Sequence, residues 1–407
     1  MLRKGEPVTK RFLLCGASGV VGQALVPLLR KQGVEVRLVG RDVQRLAQLY
    51  PGCDVGSYDE ISDLAAGCSL VVNLAARNND QAGTQADFQT ANVDHALEVM
   101  DLAKQAQVDR FVNFSSLHAA TPEKSLYAAS KARADEELTR SGGGFALSIR
   151  LAAIHGIAQQ GKLRLLARLP RFLQFPLFAL ASALRPTVSV GTVAHFLATD
   201  AATWPDTVTE LSDGQHSNLL FLAVKRTIDL VFALAVAILF FWLFAILWLA
   251  VRIDSPGPAI FAQTRVGRAG QAFVCYKFRT MAQGTTQRGT HEVGASSITR
   301  VGGFLRKSKL DELPQVLNIL KNELSLVGPR PCLPVQSELI AERSRRGVLN
   351  VKPGITGLAQ VHEIDMSTPK LLAQWDRRYV MQRSILSEIS VVFATFLGRG
   401  QGDRIGS

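Results

Sequence analysis

The stretch LVFALAVAILFFWLFAILWLAV, Leu230 to Val251, decides how the rest of the chain is read. Its 22 residues carry no charge. As one straight helix they would run about 33 Å, enough to cross the hydrocarbon core of a bilayer. Lys225, Arg226 and Asp229 precede it, and Arg252, Arg265 and Arg268 follow. Both flanks are positive, so the positive-inside rule gives no direction. Sequences suited to chemistry in water lie on either side. A Gly-rich turn of nucleotide-binding type comes before. A basic half comes after, with Leu310-Asp311-Glu312-Leu313-Pro314-Gln315 and Val327-Gly328-Pro329-Arg330-Pro331. A membrane segment between such halves suggests a substrate made in water and delivered into lipid.

A length of 407 residues permits two domains, each with its own core. Charge is unevenly divided: residues 1–214 hold 22 Lys/Arg and 21 Asp/Glu, whereas residues 215–407 hold 24 and 13. The positive excess therefore sits in the half attached to the apolar segment. Anionic lipid heads and phosphorylated substrates would explain it. No basic recognition helix or aromatic-rich RNA motif appears, which argues against nucleic acid as a partner. Cys15, Cys53, Cys68, Cys275 and Cys332 form no CxxC pair and no metal spacing, and read as reduced, mostly buried thiols in a cytosolic setting. The opening residues MLRKGEPVTKRFLLCGASG have no extended apolar core ahead of a cleavage site, so secretion is not expected.

Between residues 11 and 150, short apolar runs alternate with helical spacing. The runs are Arg11–Cys15, Val34–Val39, Leu70–Leu74 and Arg110–Phe114; the helical stretches are Gly22–Gln32, Asp42–Leu49 and Val93–Gln107. This predicts an α/β fold, a doubly wound parallel Rossmann sheet with helices on both faces. Gly16-Ala17-Ser18-Gly19-Val20-Val21-Gly22 follows the first strand and opens a helix. Gly16, Gly19 and Gly22 would let the backbone approach a pyrophosphate at the helix N-terminus. The second strand ends Leu38-Val39-Gly40-Arg41. An NAD site would want an acid there for the ribose 2′-hydroxyl; Arg41 would hold a 2′-phosphate, which favours NADP(H). Tyr127 and Lys131, in Tyr127-Ala128-Ala129-Ser130-Lys131, share a helix face. A neighbouring ammonium would lower the phenol's pKa, so that it exchanges a proton with a carbonyl or alcohol oxygen during hydride transfer.

Taken with Asn73-Leu74-Ala75-Ala76, Asn92, Phe114-Ser115-Ser116, Arg150-Leu151 and Gly156, these motifs resemble the extended short-chain dehydrogenase/reductase family of sugar-nucleotide epimerases, dehydratases and reductases. The resemblance covers about residues 10–215. It implies Ser116, Tyr127 and Lys131 as catalytic residues. The family's usual serine or threonine slot falls here on Leu117, so Ser116 stands one place early. The half is also short for the family, which implies a trimmed substrate-binding part.

Beyond the apolar segment, KRTIDL, SPGPAIFAQTRVG, YKFRTM, LRKSKLDELPQVLNILKNELSLVGPRP and KPGITGLAQV occur in order between Lys225 and Phe396. In that order they resemble the bacterial sugar transferase family, the small monotopic phosphoglycosyl transferases. The resemblance implies that a sugar 1-phosphate moves from a UDP-sugar to polyprenyl (undecaprenyl) phosphate, releasing UMP through a phosphosugar–enzyme intermediate, with Mg²⁺. It implies Asp311 as the nucleophile and Glu312 as its catalytic neighbour and metal ligand. Lys277, Arg279, Arg306 and Arg330 are candidate phosphate clamps. Pro329 and Pro331 would stiffen the loop presenting Arg330. Taken alone, Ser308-Lys309-Leu310-Asp311 also reads as a capping pair opening a helix over Lys309–Leu324. The family usually carries Ser-Pro midway through its membrane helix, where the proline turns the helix back. The corresponding place here is Phe241-Trp242, and no proline lies in Leu230–Val251.

The expected organisation is an NADP-binding domain over 1–215, a linker over 216–224, a membrane helix over 225–252 and a small mixed α/β catalytic domain over 253–407. NADPH and UDP-sugars are cytosolic, so both sites want one face of the membrane. The segment is therefore expected to enter and return as a re-entrant hairpin at the bacterial inner membrane, with both domains facing the cytoplasm. Ala282–Ser297 reads as a mobile lid, Pro353–Gly357 as a tight turn and Gly398–Ser407 as a frayed end. The expected protein is bifunctional. Its first half reduces or epimerises a UDP-sugar, with a UDP-4-keto-6-deoxy-N-acetylhexosamine as the leading substrate. Its second half starts an O-antigen, capsule or exopolysaccharide repeat. The partners implied are UDP-sugar, undecaprenyl phosphate and inner-membrane lipid, with a homodimer left open. The alternatives are a non-catalytic sugar-nucleotide-binding scaffold in the first half, or a membrane adaptor throughout.

Overall fold

The computed structural model describes residues 10–156, 169–282 and 298–399. The expected lid beyond Ala282, and the expected frayed end beyond Arg399, lie outside the described residues. The chain divides into two compact units, Met1–Leu177 with Pro186–Gly214, and Phe178–Arg185 with Gln215–Ser407.

The first unit is built on seven strands: β1 (Arg11–Cys15), β2 (Glu35–Val39), β3 (Val55–Gly56), β4 (Leu70–Asn73), β5 (Arg110–Ser116), β6 (Ala146–Leu151) and β7 (Val208–Leu211). They lie in the order β3-β2-β1-β4-β5-β6-β7, all parallel. A parallel sheet needs both faces covered, which is why the middles of its strands are mostly apolar. Phe12, Leu14, Leu38 and Val72 enter one core, and Leu13, Cys15, Val71 and Phe111 enter the other. The strand order reverses between β1 and β4, where such sheets open a crevice for ligands. This is the doubly wound sheet that the alternation of runs predicts.

The second unit opens on α1 (Leu219–Leu239), whose first turn is capped by Asn218 accepting from the Phe221 N–H. Most of the stretch read as a linker, 216–224, is therefore already helix. The apolar segment is not one straight helix. α1 and α2 (Phe241–Asp254) meet at Phe240 with a bend of 66°. Among the described residues no single helix is long and apolar enough to cross a membrane; only this bent pair passes by length and composition. The bend has no proline. The Leu239 carbonyl, at the end of α1, accepts the Trp242 indole N–H at 3.0 Å, which serves one of the carbonyls that a helix end leaves without a backbone donor. Packing on both sides of the break does the rest. Phe232, Val236 and Phe244 pack against Phe273, Cys275 and Ile319. Leu243, Leu247 and Val251 pack with Phe278 and Leu305. The outward side stays apolar, with Val231, Ile238, Phe241, Leu249 and Ile253 exposed.

The charges before the apolar segment turn into the domain. Lys225 donates to Glu388 Oε2 at 2.5 Å and to the Val327 carbonyl at 3.0 Å. Arg226 donates to the Ile319 and Leu320 carbonyls. Buried Asp229 accepts from Ser325 Oγ at 3.0 Å and the Leu326 N–H at 2.8 Å. They anchor the helix to the domain beneath it.

That domain holds an antiparallel hairpin, β8 (Ile260–Val266) with β9 (Ala272–Phe278), and a short parallel pair, β10 (Ser325–Val327) with β11 (Gly354–Thr356). The expected turn at Pro353–Gly357 is thus largely a strand. It pairs closely because two glycines face each other: a Cβ on Gly354 would lie 2.1 Å from the Gly328 nitrogen. The expected helix over Lys309–Leu324 is also broken up. Lys309 takes a left-handed φ of 58° and ends the helix Arg300–Ser308. A 3₁₀ turn, Leu310–Gln315, and a short helix, Val316–Leu320, follow. Ser308 Oγ donates back to the Phe304 carbonyl at 2.9 Å, so it belongs to the preceding helix and caps nothing ahead.

Candidate active sites

In the second unit, the left-handed turn at Lys309 throws the 3₁₀ turn across β9. Asn318, fully buried, holds the two together like a missing strand: its Nδ2 donates to the Val274 carbonyl at 2.6 Å and its Oδ1 accepts from the Tyr276 N–H at 3.1 Å. Lys277, next along β9, then reaches the turn. Lys277 Nζ donates to Glu312 Oε1 at 2.7 Å, and Arg330 Nη2 donates to the same oxygen at 2.9 Å. Glu312, Lys277 and Arg330 line one cleft with Arg265, Cys275 and Gln315.

The two neighbouring carboxylates differ sharply. Burial pushes Glu312 up, but the charges of Lys277 and Arg330 and their hydrogen bonds outweigh it and hold the carboxyl well below the usual range. Asp311 is pushed up to about 6, first by burial and then by the Glu312 charge, against the pull of Lys277, Arg330 and Arg306. Glu312 is therefore a fixed anion clamped by cations. Asp311, beside it, has its pKa raised to about 6 and, among the described residues, is held by no such pair of cations.

Arg306 acts on Asp311 through its charge and donates to Thr280 Oγ1 at 2.9 Å. Arg279 is not brought to the cleft. It is buried, and donates to the carbonyls of Pro256 at 2.8 Å and Ser255 at 2.7 Å, closing the end of α2. This placement does not bring Arg279 to the expected phosphate site: both of its terminal nitrogens face carbonyls at the end of α2. Arg265 and Gln315 were missed. Their signal was present in QTRVG and LDELPQ, but only the fold turns them into one cleft. A magnesium ion takes one or two protein carboxylates beside substrate phosphates. Glu312 is the carboxylate in the cleft that such an ion would meet; among the described residues no group of three or more His, Cys, Asp or Glu side chains could hold a metal without substrate oxygens.

In the first unit, the turn after β1 matches a phosphate cradle. Gly16 has φ +83°, and a Cβ there would lie 2.8 Å from the Ala75 nitrogen. A Cβ on Gly22 would lie 2.5 Å from Ala17 Cα, whereas Gly19 has no neighbour nearer than 3.4 Å. Gly19 caps the helix Val20–Lys31 without a side-chain bond. Close backbone approach and open N–H groups suit a dinucleotide pyrophosphate. Arg41 is exposed just past β2, and its charge is felt by Tyr58 and His95. Asn92 sits buried in a π-helical turn, Thr90–Asp94, and donates to Ser130 Oγ at 2.9 Å.

Ser116 Oγ accepts from the His118 N–H at 3.3 Å, and its hydroxyl pulls the Tyr127 pKa down against burial. Lys131 behaves otherwise than its spacing suggests. Its Nζ donates to the Phe114 carbonyl at 2.9 Å, and burial pulls its pKa down to about 8 against the charge of Asp135. The phenol of Tyr127 stands above its ordinary value because burial outweighs the pull of Ser116. The expected lowering by a neighbouring ammonium is absent: burial dominates the Tyr127 phenol, and Lys131 is not among the groups that shift it.

The chain was compared with known proteins. The model of the family "Bacterial sugar transferase" matches residues 220–400, and that of the "NAD dependent epimerase/dehydratase family" matches residues 12–174. The chain is 33% identical over 202 residues to UDP-N-acetylgalactosamine-undecaprenyl-phosphate N-acetylgalactosaminephosphotransferase of Aeromonas hydrophila, covering 46% of this chain and 47% of that protein. It is 39% identical over 196 residues to undecaprenyl-phosphate galactose phosphotransferase of Salmonella typhimurium, covering 42% and 39%. It is 32% identical over 188 residues to the exopolysaccharide production protein ExoY of Rhizobium meliloti, covering 42% and 83%. The chain thus spans less than half the length of the first two relatives. A solved UDP-galactose 4-epimerase is 19% identical with a TM-score of 0.38, covering 50% of this chain and 77% of that one.

Proposed function

The chain belongs to the bacterial sugar transferase family, and from that premise we propose that its second unit transfers sugar 1-phosphate from a UDP-sugar to undecaprenyl phosphate. The observation that carries this reading is the pairing of a fixed anion with a reactive one: Glu312 held by Lys277 and Arg330, beside Asp311 with its pKa near 6. An Asp311 carboxylate oxygen attacks the β-phosphorus, forming an Oδ–P bond and breaking the bond to the UMP oxygen. The polyprenyl phosphate oxygen then attacks the same phosphorus and returns the carboxylate. Lys277, Arg330 and Arg306 offset the charge that two phosphates and an attacking anion bring together. Glu312 would hold Mg²⁺, which when bound adds positive charge at the diphosphate.

The bent pair α1–α2 enters the bilayer from the cytoplasmic side and returns to it, delivering the product into the lipid of the bacterial inner membrane. Cysteines at positions 220 and 300 would then label from the same side; labelling from opposite sides would overturn this path. The first unit binds NADP(H) through Gly16, Gly19, Gly22 and Arg41, and uses Tyr127, Ser116 and Lys131 to reduce or epimerise the UDP-sugar before transfer. Joining the two steps in one chain raises the local concentration of the shared sugar. A 4-keto-6-deoxy-N-acetylhexosamine is the leading substrate, and O-antigen, capsule or exopolysaccharide the product line. The turn of Lys131 onto a carbonyl favours a second reading of this unit, as a non-catalytic sugar-nucleotide scaffold.

The test is UMP release, screened across UDP-sugars with membrane-extracted protein and polyprenyl phosphate. Release with one sugar, and a sugar-phosphate adduct on the Asp311 peptide, is the expected result. No release from any sugar would leave the membrane-adaptor reading. NADPH oxidation across a panel of keto sugars separates the two readings of the first unit.

A further inference from the structure

The loop that presents Arg330 cannot hold itself in the usual way. Val327 to Cys332 contains Pro329 and Pro331, which have no N–H to give. Gly328 N–H donates to the Thr356 carbonyl at 2.8 Å, and from Pro329 to Cys332 the loop is held through its carbonyls. Gly354 N–H donates to the Pro329 carbonyl at 2.9 Å, and Val266 N–H donates to that of Cys332 at 2.9 Å. Between them, two side chains do the same. Arg343 Nη1 donates to the Arg330 carbonyl at 2.9 Å, and Arg265 Nη1 donates to the Pro331 carbonyl at 3.0 Å.

Arg343 is itself fixed. It lies on the helix Ser337–Arg345, is 2% exposed, and pairs with Asp376 of the helix Pro369–Gln382, also 2% exposed. Its Nε donates to Asp376 Oδ2 at 2.9 Å, and Nη2 lies 2.8 Å from the same oxygen. A buried ion pair is a weak route to stability, since apolar residues of like volume serve as well. It is a strong route to geometry, because the planar guanidinium fixes its third nitrogen, Nη1, once Nε is hydrogen-bonded to Asp376 and Nη2 lies in ion-pair range of the same carboxylate. That third nitrogen meets the backbone of the residue whose side chain clamps Glu312.

We infer that Arg343, backed by Asp376, is a positioning residue for Arg330: it sets the reach of the Arg330 guanidinium into the cleft by holding that residue's own carbonyl. The inference rests on the transferase reading of the cleft. A shift of about 1 Å in a positioned group costs on the order of 100-fold in rate. Lysine at position 343 keeps a charge for Asp376 but cannot span both Asp376 and the carbonyl.

The experiment is a double-mutant cycle on UMP release by the full chain. Arg343→Lys is expected to lower kcat/KM by about 100-fold, at an unchanged melting temperature. Added to Arg330→Ala, it should cost no more than about twofold. Full additivity would overturn the inference, because Arg343 would then act on something other than Arg330. Where Arg343→Lys does not fold, the pair Arg343→Met with Asp376→Leu removes the donor, keeps an apolar filling and enters the same cycle. A wild type that releases no UMP overturns the transferase reading instead. The tether is then read from UDP binding by calorimetry. Arg343→Lys must weaken binding as Arg330→Ala does, and unchanged binding overturns it.

Discussion

The two candidate sites each set a lysine near a carboxylate, with opposite results. In the first unit, Lys131 faces the Phe114 carbonyl, and Asp135 is bonded to Arg150 at 2.7 Å. Burial governs there: it pulls Lys131 down and pushes Tyr127 and Asp135 up. In the second unit, Lys277 and Arg330 converge on Glu312 at the wall of a cleft, and their charges overcome burial. The second site is thus polarised by the chain's own charges. At the first, burial dominates the pKa of both Lys131 and Tyr127. The comparison teaches that a motif supplies residue types, while the direction in which a side chain turns decides its chemistry.

The largest expected effect is Asp311→Asn. It should lower UMP release by at least about 10⁴-fold and leave NADPH oxidation untouched; release that persists would dismiss Asp311 as the nucleophile. Tyr127→Phe should do the reverse, cutting NADPH oxidation by about 10²–10⁴-fold with UMP release unchanged. A variant with full oxidation would turn the comparison toward a scaffold.

The pH profiles should separate the sites further. Asp311 reacts as the carboxylate and its pKa is raised to about 6, so UMP release should be flat above pH 6 and fall as pH drops through it. The loss should be about tenfold for each further unit. Glu312, with its pKa lowered, stays charged through that range. Lys131 has its pKa lowered to about 8 and acts as the cation, so reductase activity should instead fall as pH rises through 8. Stopped assays in matched buffers would show whether the two limbs stand on opposite sides of neutrality. The smallest expected effect is Trp242→Phe, which removes the indole donor to Leu239 and should destabilise by about 1 kcal/mol. Denaturant unfolding in detergent would read it.

What was legible in the sequence was local. The Gly16–Gly22 turn, the strand runs and the Asp311-Glu312 pair each lie within a few residues, where periodicity and motif suffice. What was not legible was long-range. The Arg343–Asp376 pair joins residues 33 apart, and the Arg265 bond to Pro331 joins residues 66 apart. Nothing in either residue's neighbours announces its partner. Arg279 was misplaced for a related reason. KFRT reads as one cationic motif, and alternation would set Lys277 and Arg279 on one face, but β9 ends at Phe278, so Lys277 stays at the cleft while Arg279 turns to the end of α2. The π-helical turn around Asn92 has no sequence signature of its own.

Phe240 keeps its N–H, which donates to Val236, and no pyrrolidine ring fixes its backbone. Nothing in the local covalent structure forbids the rod. Unbent, Leu219–Asp254 would measure about 54 Å, far beyond the roughly 30 Å of hydrocarbon it would meet. The elbow is therefore a tertiary property, imposed by the globule that grips both arms. Excised as a peptide in oriented bilayers, the segment should straighten and tilt; an elbow kept in isolation would assign the cause to the peptide itself.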